Sequence, residues 1–303
     1  MIADFEDFCT QMYVTIDDIW HQVGKLFTHP GPKSECSDSE LITLAIVSEC
    51  KGWDKETEMC SEWRNYRHLF PHLPERSRFN RRRRRLMSAI NMVRQKVLER
   101  LDVALDGQCV IDSLPVPIIP FARAWFSRSR SEWTSYGASY GYVSSKKQTI
   151  FGYKLHLLMT LSGVILDFEL VGANESDLVV GLEILQGHQD LAVLGDKAYI
   201  SAAGQSELEK NRRVRLRTLP RLNQKKQVSR EHRHLFNHYR QVVESVNGQL
   251  SDQFKVETNH AHSAGGLFAR LHTKFLAHTI CIYLNRLMGK ADFRQIKSLA
   301  FPI

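Results

Sequence analysis

The 303-residue chain has room for one large domain or two medium ones, and its 43% apolar and 24% charged content is that of an ordinary globular protein rather than a disordered or membrane-embedded one. The 41 Lys and Arg against 33 Asp and Glu leave a charge of +8, which points to a polyanionic partner. No apolar run reaches the length of a membrane-spanning helix, the acidic start is unlike a signal peptide, and six scattered cysteines without a CxxC pair favour free thiols in a cytoplasmic protein.

Residues 1–105 read as helical. Phe5, Phe8, Met12 and the run to Ile19 form a first amphipathic helix, and Ser37 with Glu40 makes a capping box ahead of Leu41 to Val47. After Pro71 and Pro74 come Arg76, Arg78, Arg81, Arg82, Arg83, Arg84 and Arg85, followed by helical spacing through Leu86, Ile90, Val93, Val97 and Leu101. Seven arginines in ten positions would surround a helix, so this stretch is expected outside the core, with phosphate contact as its use and a solvated charge run as the competing reading.

The pattern changes after Asp106-Gly107. Gln108 to Val116 predicts a strand, and 148–160 with 163–171 predict a hairpin closed by Leu161-Ser162-Gly163. Glu175 to His188 predicts a helix, Leu191 to Leu194 a buried strand, Ser201 to Asn211 a helix and Val214 to Leu219 a last strand. Long helices follow from about Ser229 and over 267–287. Hairpin-rich strands followed by alternating helix and strand imply an α/β fold, a mixed sheet with flanking helices.

Asp112 and Asp196 end two of the apolar runs, and Glu244 lies on the long helix. A carboxylate at the tip of a buried strand is costly unless a cation meets it. Two or three together make an oxygen-rich site for magnesium or manganese, of the kind that runs in-line displacement at phosphate with two ions. Each acid alone reads equally as a cap, a surface group or an ion-pair partner; the ordered trio carries the argument.

Ile111-Asp112-Ser113, Gly152-Tyr153-Lys154-Leu155-His156, Gly195-Asp196-Lys197-Ala198-Tyr199, and Arg240 ahead of Val243-Glu244 together resemble a bacterial insertion-sequence DDE transposase, most of all insertion sequence family 982. The resemblance covers nearly the whole chain. It implies a ribonuclease H-like catalytic domain over 106–303 behind a helical DNA-binding region over 1–105. It also implies Asp112, Asp196 and Glu244 as catalytic and metal-binding residues holding two Mg2+ or Mn2+ ions. The implied partners are double-stranded DNA, as transposon ends with terminal inverted repeats and as target, and further copies of the chain in a homodimer or larger assembly. The implied location is the bacterial cytoplasm, at the nucleoid, with no membrane contact. Cleavage followed by strand transfer is the implied reaction; a nuclease that does not join, and a non-catalytic DNA-binding descendant, are the alternatives. Relatives often carry Tyr and Lys where this chain has Asn237 and Ser251, so whatever depends on that pair is not transferred.

Lys154, Lys197 and Arg240 stand beside the acidic positions and suit phosphate, although each reads equally as a surface cation, and Arg240 with Glu244 as a helical ion pair. Asp177 reads as a helix-start residue rather than a fourth acid. Between Gln205 and Arg240, eleven Lys and Arg face three Asp and Glu, a second basic strip. Residues 118–147 interleave aromatics with cations; Trp125 and Trp133 are the expected stacking groups for an unpaired strand, with disorder as the competing reading. His232, His234 and His238 lack the partners a zinc site needs.

Overall fold

The structure, a computed structural model, describes residues 2–27, 31–103, 106–144, 146–218, 230–290 and 294–301, with the backbone alone for 230–235. The middle of the second basic strip, 219–229, and the side chains of His232 and His234 therefore lie outside the described residues.

The chain divides into two compact units: Met1–Leu101 with Leu250–Ile303, and Asp102–Gln249. This differs from the linear split into 1–105 and 106–303, because the stretch from Leu250 onward folds with the first hundred residues.

The first unit holds helices α1 (Phe5–Val23), α2 (Asp38–Cys50), α3 (Glu56–Trp63), α4 (Arg76–Arg85) and α5 (Met87–Arg100). The capping box at Ser37 and Glu40 starts α2, whose residues are nearly all buried. An all-round apolar helix of this kind must be enclosed on every side. The enclosing partner is α11 (Ala264–Leu287), a 24-residue helix buried along most of its length. It packs on α2 and α5, which is why the C-terminal stretch joins this unit.

At the centre of that packing lies Glu49, 2% exposed. Arg270 donates to its two oxygens at 3.0 and 3.2 Å, Lys274 Nζ donates to Oε2, and Arg83 Nη1 stands 3.8 Å from Oε1. Burial pushes the Glu49 carboxyl up, but Arg270, Lys274 and Arg83 outweigh this and hold it at about 2. Burial draws Lys274 down to about 8 despite Glu49, so at neutral pH both remain charged.

The arginine helix departs from expectation here. Phe79 and Arg83 both face the interior at 2% exposure. Arg83 donates to Glu56 at 2.9 Å as well as facing Glu49, and Arg82 pairs with Asp38 at 2.5 Å. Buried Glu49 and half-buried Glu56 compensate the inward guanidinium, a tertiary pairing that periodicity does not register. Arg76, Arg78, Arg81, Arg84 and Arg85 remain on the exposed side.

The second unit is built on a six-stranded mixed sheet. Its strands are β1 (Gln108–Ile119), β2 (Ser139–Val143), β3 (Gln148–Thr160), β4 (Ile165–Gly172), β5 (Ala192–Gly195) and β6 (Arg215–Thr218). β3 runs antiparallel to β1 on one edge and to β2 and then β4 on the other. On the far side of β1, β5 and β6 continue the sheet in parallel. Cys109 and Ile111 point to one face, under Val180, Ile184 and Leu185 of α8 (Asp177–Gln186) and Leu208 of α9 (Ala202–Arg212). Tyr199 lies in this layer, and Gly181 makes room for it: a Cβ at that position would come within 2.5 Å of the Tyr199 ring. On β1 itself packs α10 (Arg230–Gly248). Residues 118–147, considered as a long loop, contain α6 (Phe121–Ala124), α7 (Arg130–Ser135) and β2.

Breaking the Glu49 cluster should be costly. Glu49→Ala leaves Lys274 and Arg270 buried without their counter-charge, and stability to denaturant should fall by about 3–5 kcal/mol. The folded-state pKa of Glu49 is depressed, so its contribution is complete above its ordinary range near 4.5 and is lost as pH falls toward about 2. Denaturant midpoints measured through that window should drop more steeply in the wild type than in Glu49→Ala. A fragment ending at residue 105 lacks Arg270 and Lys274 and should show no cooperative transition.

Candidate active site on two neighbouring parallel strands

The site begins with a register. In the parallel pairing of β1 with β5, Ile111 stands opposite Gly195. The next residues are Asp112 and Asp196, so two apolar runs deliver two carboxylates to neighbouring positions, Asp112 within β1 and Asp196 just past the end of β5. Alternation along β1 sends Ile111 and Ser113 toward α8 and Asp112 toward α10.

α10 is fixed over Asp112 by two hydrogen bonds. The Tyr239 hydroxyl donates to the Ile111 carbonyl at 3.2 Å, and Asn247 Nδ2 donates to Asp112 Oδ2 at 2.9 Å. Burial, with Asp112 and Asp196 nearby, raises Tyr239 far above its usual range and keeps its hydroxyl protonated and donating. Val242 and Val246 are buried, and Arg240, Glu244 and Asn247 share a stripe beside them at spacings of four and three. Glu244 is thereby one turn ahead of the residue that touches Asp112. It is exposed, and it forms no ion pair with Arg240. Asn247 went unnoticed in the sequence, where its signal was three-residue spacing from Glu244.

The electrostatics are those of an acidic site short of positive charge. Burial pushes the Asp112 carboxyl up to about 6; Asn247 and the Ser113 amide pull it down, while Asp196 and Asp177 push it further up. The Oδ1 of Asn247 is buried without a hydrogen-bond partner. Asp196 is exposed and accepts from the Ala198 amide at 2.6 Å. An all-oxygen donor set, a buried acid resisting ionisation and an orphaned amide oxygen fit a hard cation or its bound water. Among the described residues no group of three or more His, Cys, Asp or Glu stands close enough to hold an ion unaided. Asp112 and Asp196 are brought together, and Glu244 is brought to the same helix stripe as Asn247.

The other expected residues divide. Lys197 and Arg240 are exposed beside the acids. Lys154 is committed to the protein: its Nζ lies 2.7 Å from Asp177 Oδ1 and also donates to the Glu175 carbonyl. Asp177 stands in the first turn of α8, just after Ser176, on the face opposite Asp112. There it faces Ser113 at 3.5 Å and His156 at 3.6 Å. Burial drives His156 down to about 4, with Asp177 opposing and Lys154 assisting, so the imidazole is neutral.

The two tryptophans also part. Trp125 is 65% exposed, stacked on Tyr140 at 5.7 Å with the Arg130 guanidinium 4.9 Å from its ring. Trp133 is 2% exposed and packs edge-on against Tyr153, so it offers no face to a base. Its expected stacking role is therefore replaced by a core role, the local chain having folded into α7. Trp133→Ala should lower stability by about 3–5 kcal/mol, and Trp125→Ala by about 1 kcal/mol or less. Thermal and denaturant unfolding of both variants checks this, and equal losses would contradict the assignment.

A family model described as a transposase DDE domain matches residues 110–280, more than half of the chain and a span that includes Asp112, Asp196 and Glu244. No curated protein and no solved structure matches. No helix among the described residues is long and apolar enough to cross a membrane. Asp112, within β1, and Asp196, just past β5, lie within the matched span, and the chain belongs to the transposase DDE domain family.

Proposed function

We propose that the protein is an insertion-sequence transposase, akin to insertion sequence family 982, with a ribonuclease H-like second unit. In this reading it binds the terminal inverted repeats of its element, cleaves there and joins the 3′ ends to target DNA, as a dimer or larger assembly. The observation that carries the reading is the placement of Asp112 and Asp196 side by side under α10 within a transposase family match.

Asp112, Asp196 and Glu244 would hold two magnesium or manganese ions. When bound, such ions supply an activated oxygen nucleophile and stabilise the leaving 3′-oxygen. Around them Asn247 orients the Asp112 carboxylate, as hydrogen-bonded neighbours of metal-ligating acids do, and Tyr239 anchors the helix carrying Glu244 to β1. The Ala198 amide holds the Asp196 carboxylate. Arg240 and Lys197, exposed and beside the acids, suit the phosphates flanking the scissile bond. Lys154 is held by Asp177, so its role is to brace β3 against α8 rather than to meet DNA.

Asp112→Ala, Asp196→Ala and Glu244→Ala should each reduce nicking of an end-containing duplex to background while leaving duplex affinity within about threefold, because each removes a carboxylate and no phosphate contact. Magnesium and manganese should support nicking and calcium should support it poorly. Near-normal nicking by any one variant would remove that residue from the site. Nicking without joining of pre-cleaved ends would favour a nuclease.

A further inference from the structure

The first unit contains a cavity of about 790 Å³ whose walls come from three stretches distant in sequence: the start of α3, the exposed side of α4, and the start of α11. Six cationic side chains line it against two acids, Asp54 and Glu56. Both acids are already engaged. His260 meets Asp54 at 3.1 Å, and Glu56 takes Arg83 at 2.9 Å and Asn80 at 3.0 Å. Arg76, Arg81 and Arg84 are exposed and carry no ion pair among the described residues. Like charges crowded on one wall repel unless an anion joins them.

The opposite wall also favours an anion. Ser263 caps α11 by accepting from the Gly266 amide at 3.3 Å, so the amides of Ala264 and Gly265 have no partner within the helix. The space over Gly265 is open, since a Cβ there would meet nothing within 4 Å. A second observation comes from the interior. Arg83 lines this cavity, is 2% exposed, and its Nε has no hydrogen-bond partner.

We infer that this cavity seats the phosphodiester backbone of double-stranded DNA between Arg76, Arg81 and Arg84 of α4 and the first turn of α11. The choice of DNA as the phosphate source rests on the transposase reading; the anion chemistry rests on arginines facing a helix start. The DNA-binding surface is then composite, and residues 1–105 hold only part of it.

The test uses the full chain with Gly265→Glu and, separately, the double variant Arg81→Ala/Arg84→Ala. Binding of a labelled duplex is followed by anisotropy over a salt series, beside a melting temperature and a nicking assay. A glutamate in the first turn suits the helix, so Gly265→Glu should melt no lower than wild type. It should nonetheless bind duplex about tenfold more weakly near 0.1 M salt. The arginine double variant should lower the salt slope by about 2. Wild-type affinity and slope in both variants would overturn the inference, as would a wild type that does not bind duplex. If inorganic phosphate protects the fold while Gly265→Glu binds duplex normally, the cavity is a free-anion site and the DNA assignment falls. A wild type that nicks DNA while both variants bind normally removes this inference alone. Weakened duplex binding by the variants of a wild type that never nicks supports the cavity and removes the transposase reading.

Discussion

The parallel pairing of β1 with β5 is the constraint on which the candidate active site depends. Residues Gln108 to Ile111 meet Ala192 to Gly195 one for one, and that register alone sets Asp112 beside Asp196. A shift of one residue would turn Asp112 from α10 toward the α8 layer and place a carboxylate among Val180, Ile184 and Leu185. The apolar face holds the register, and the register holds the acids. Gly181 contributes indirectly, because it lets Tyr199 lie flat in that layer just after Asp196.

The two faces of β1 serve different ends. Toward α8, Ser113, His156, Lys154 and Asp177 form a set in which the acid has a cationic partner and the imidazole is neutral. Toward α10, Asp112 is met by the amides of Asn247 and Ser113 but by no cation, and burial and two neighbouring acids push its carboxyl up. The acid has a cationic partner within the protein on one side and none on the other. Buried acids in an ordinary core are paired; this unpaired one is the local rule broken where function is expected.

What could be read from the sequence was what is local. Asp112 and Asp196 stood out because each closes an apolar run too short and too β-branched for anything but a buried strand. Periodicity through Tyr239, Val242 and Val246 placed Glu244 on a helix, and the family resemblance singled it out from the other acids. The hairpin of β3 and β4 followed from its turn. β2 was hidden because its aromatic residues lie among cations and bends that resemble a binding loop. The inward turn of Arg83 and the burial of Trp133 depend on Glu49, Glu56 and Tyr153, none a sequence neighbour. The grouping of 250–303 with 1–101 had no local signature either, because α11 is separated in sequence from α2 and α5 by the whole of residues 102–249.

That interruption orders events during synthesis. The first hundred residues leave the ribosome with Glu49 already in place, but the helix bearing Arg270 and Lys274 comes only after the second unit has been made. At about 5–20 residues per second, the wait is on the order of ten to thirty seconds. Over that interval α2 has α1 beside it but not α11, and Glu49 has Arg83 nearby but neither Arg270 nor Lys274. The second unit can therefore mature first, and the cavity walled by α4 and α11 forms last. A chain released early would carry the paired aspartates without the completed basic cavity.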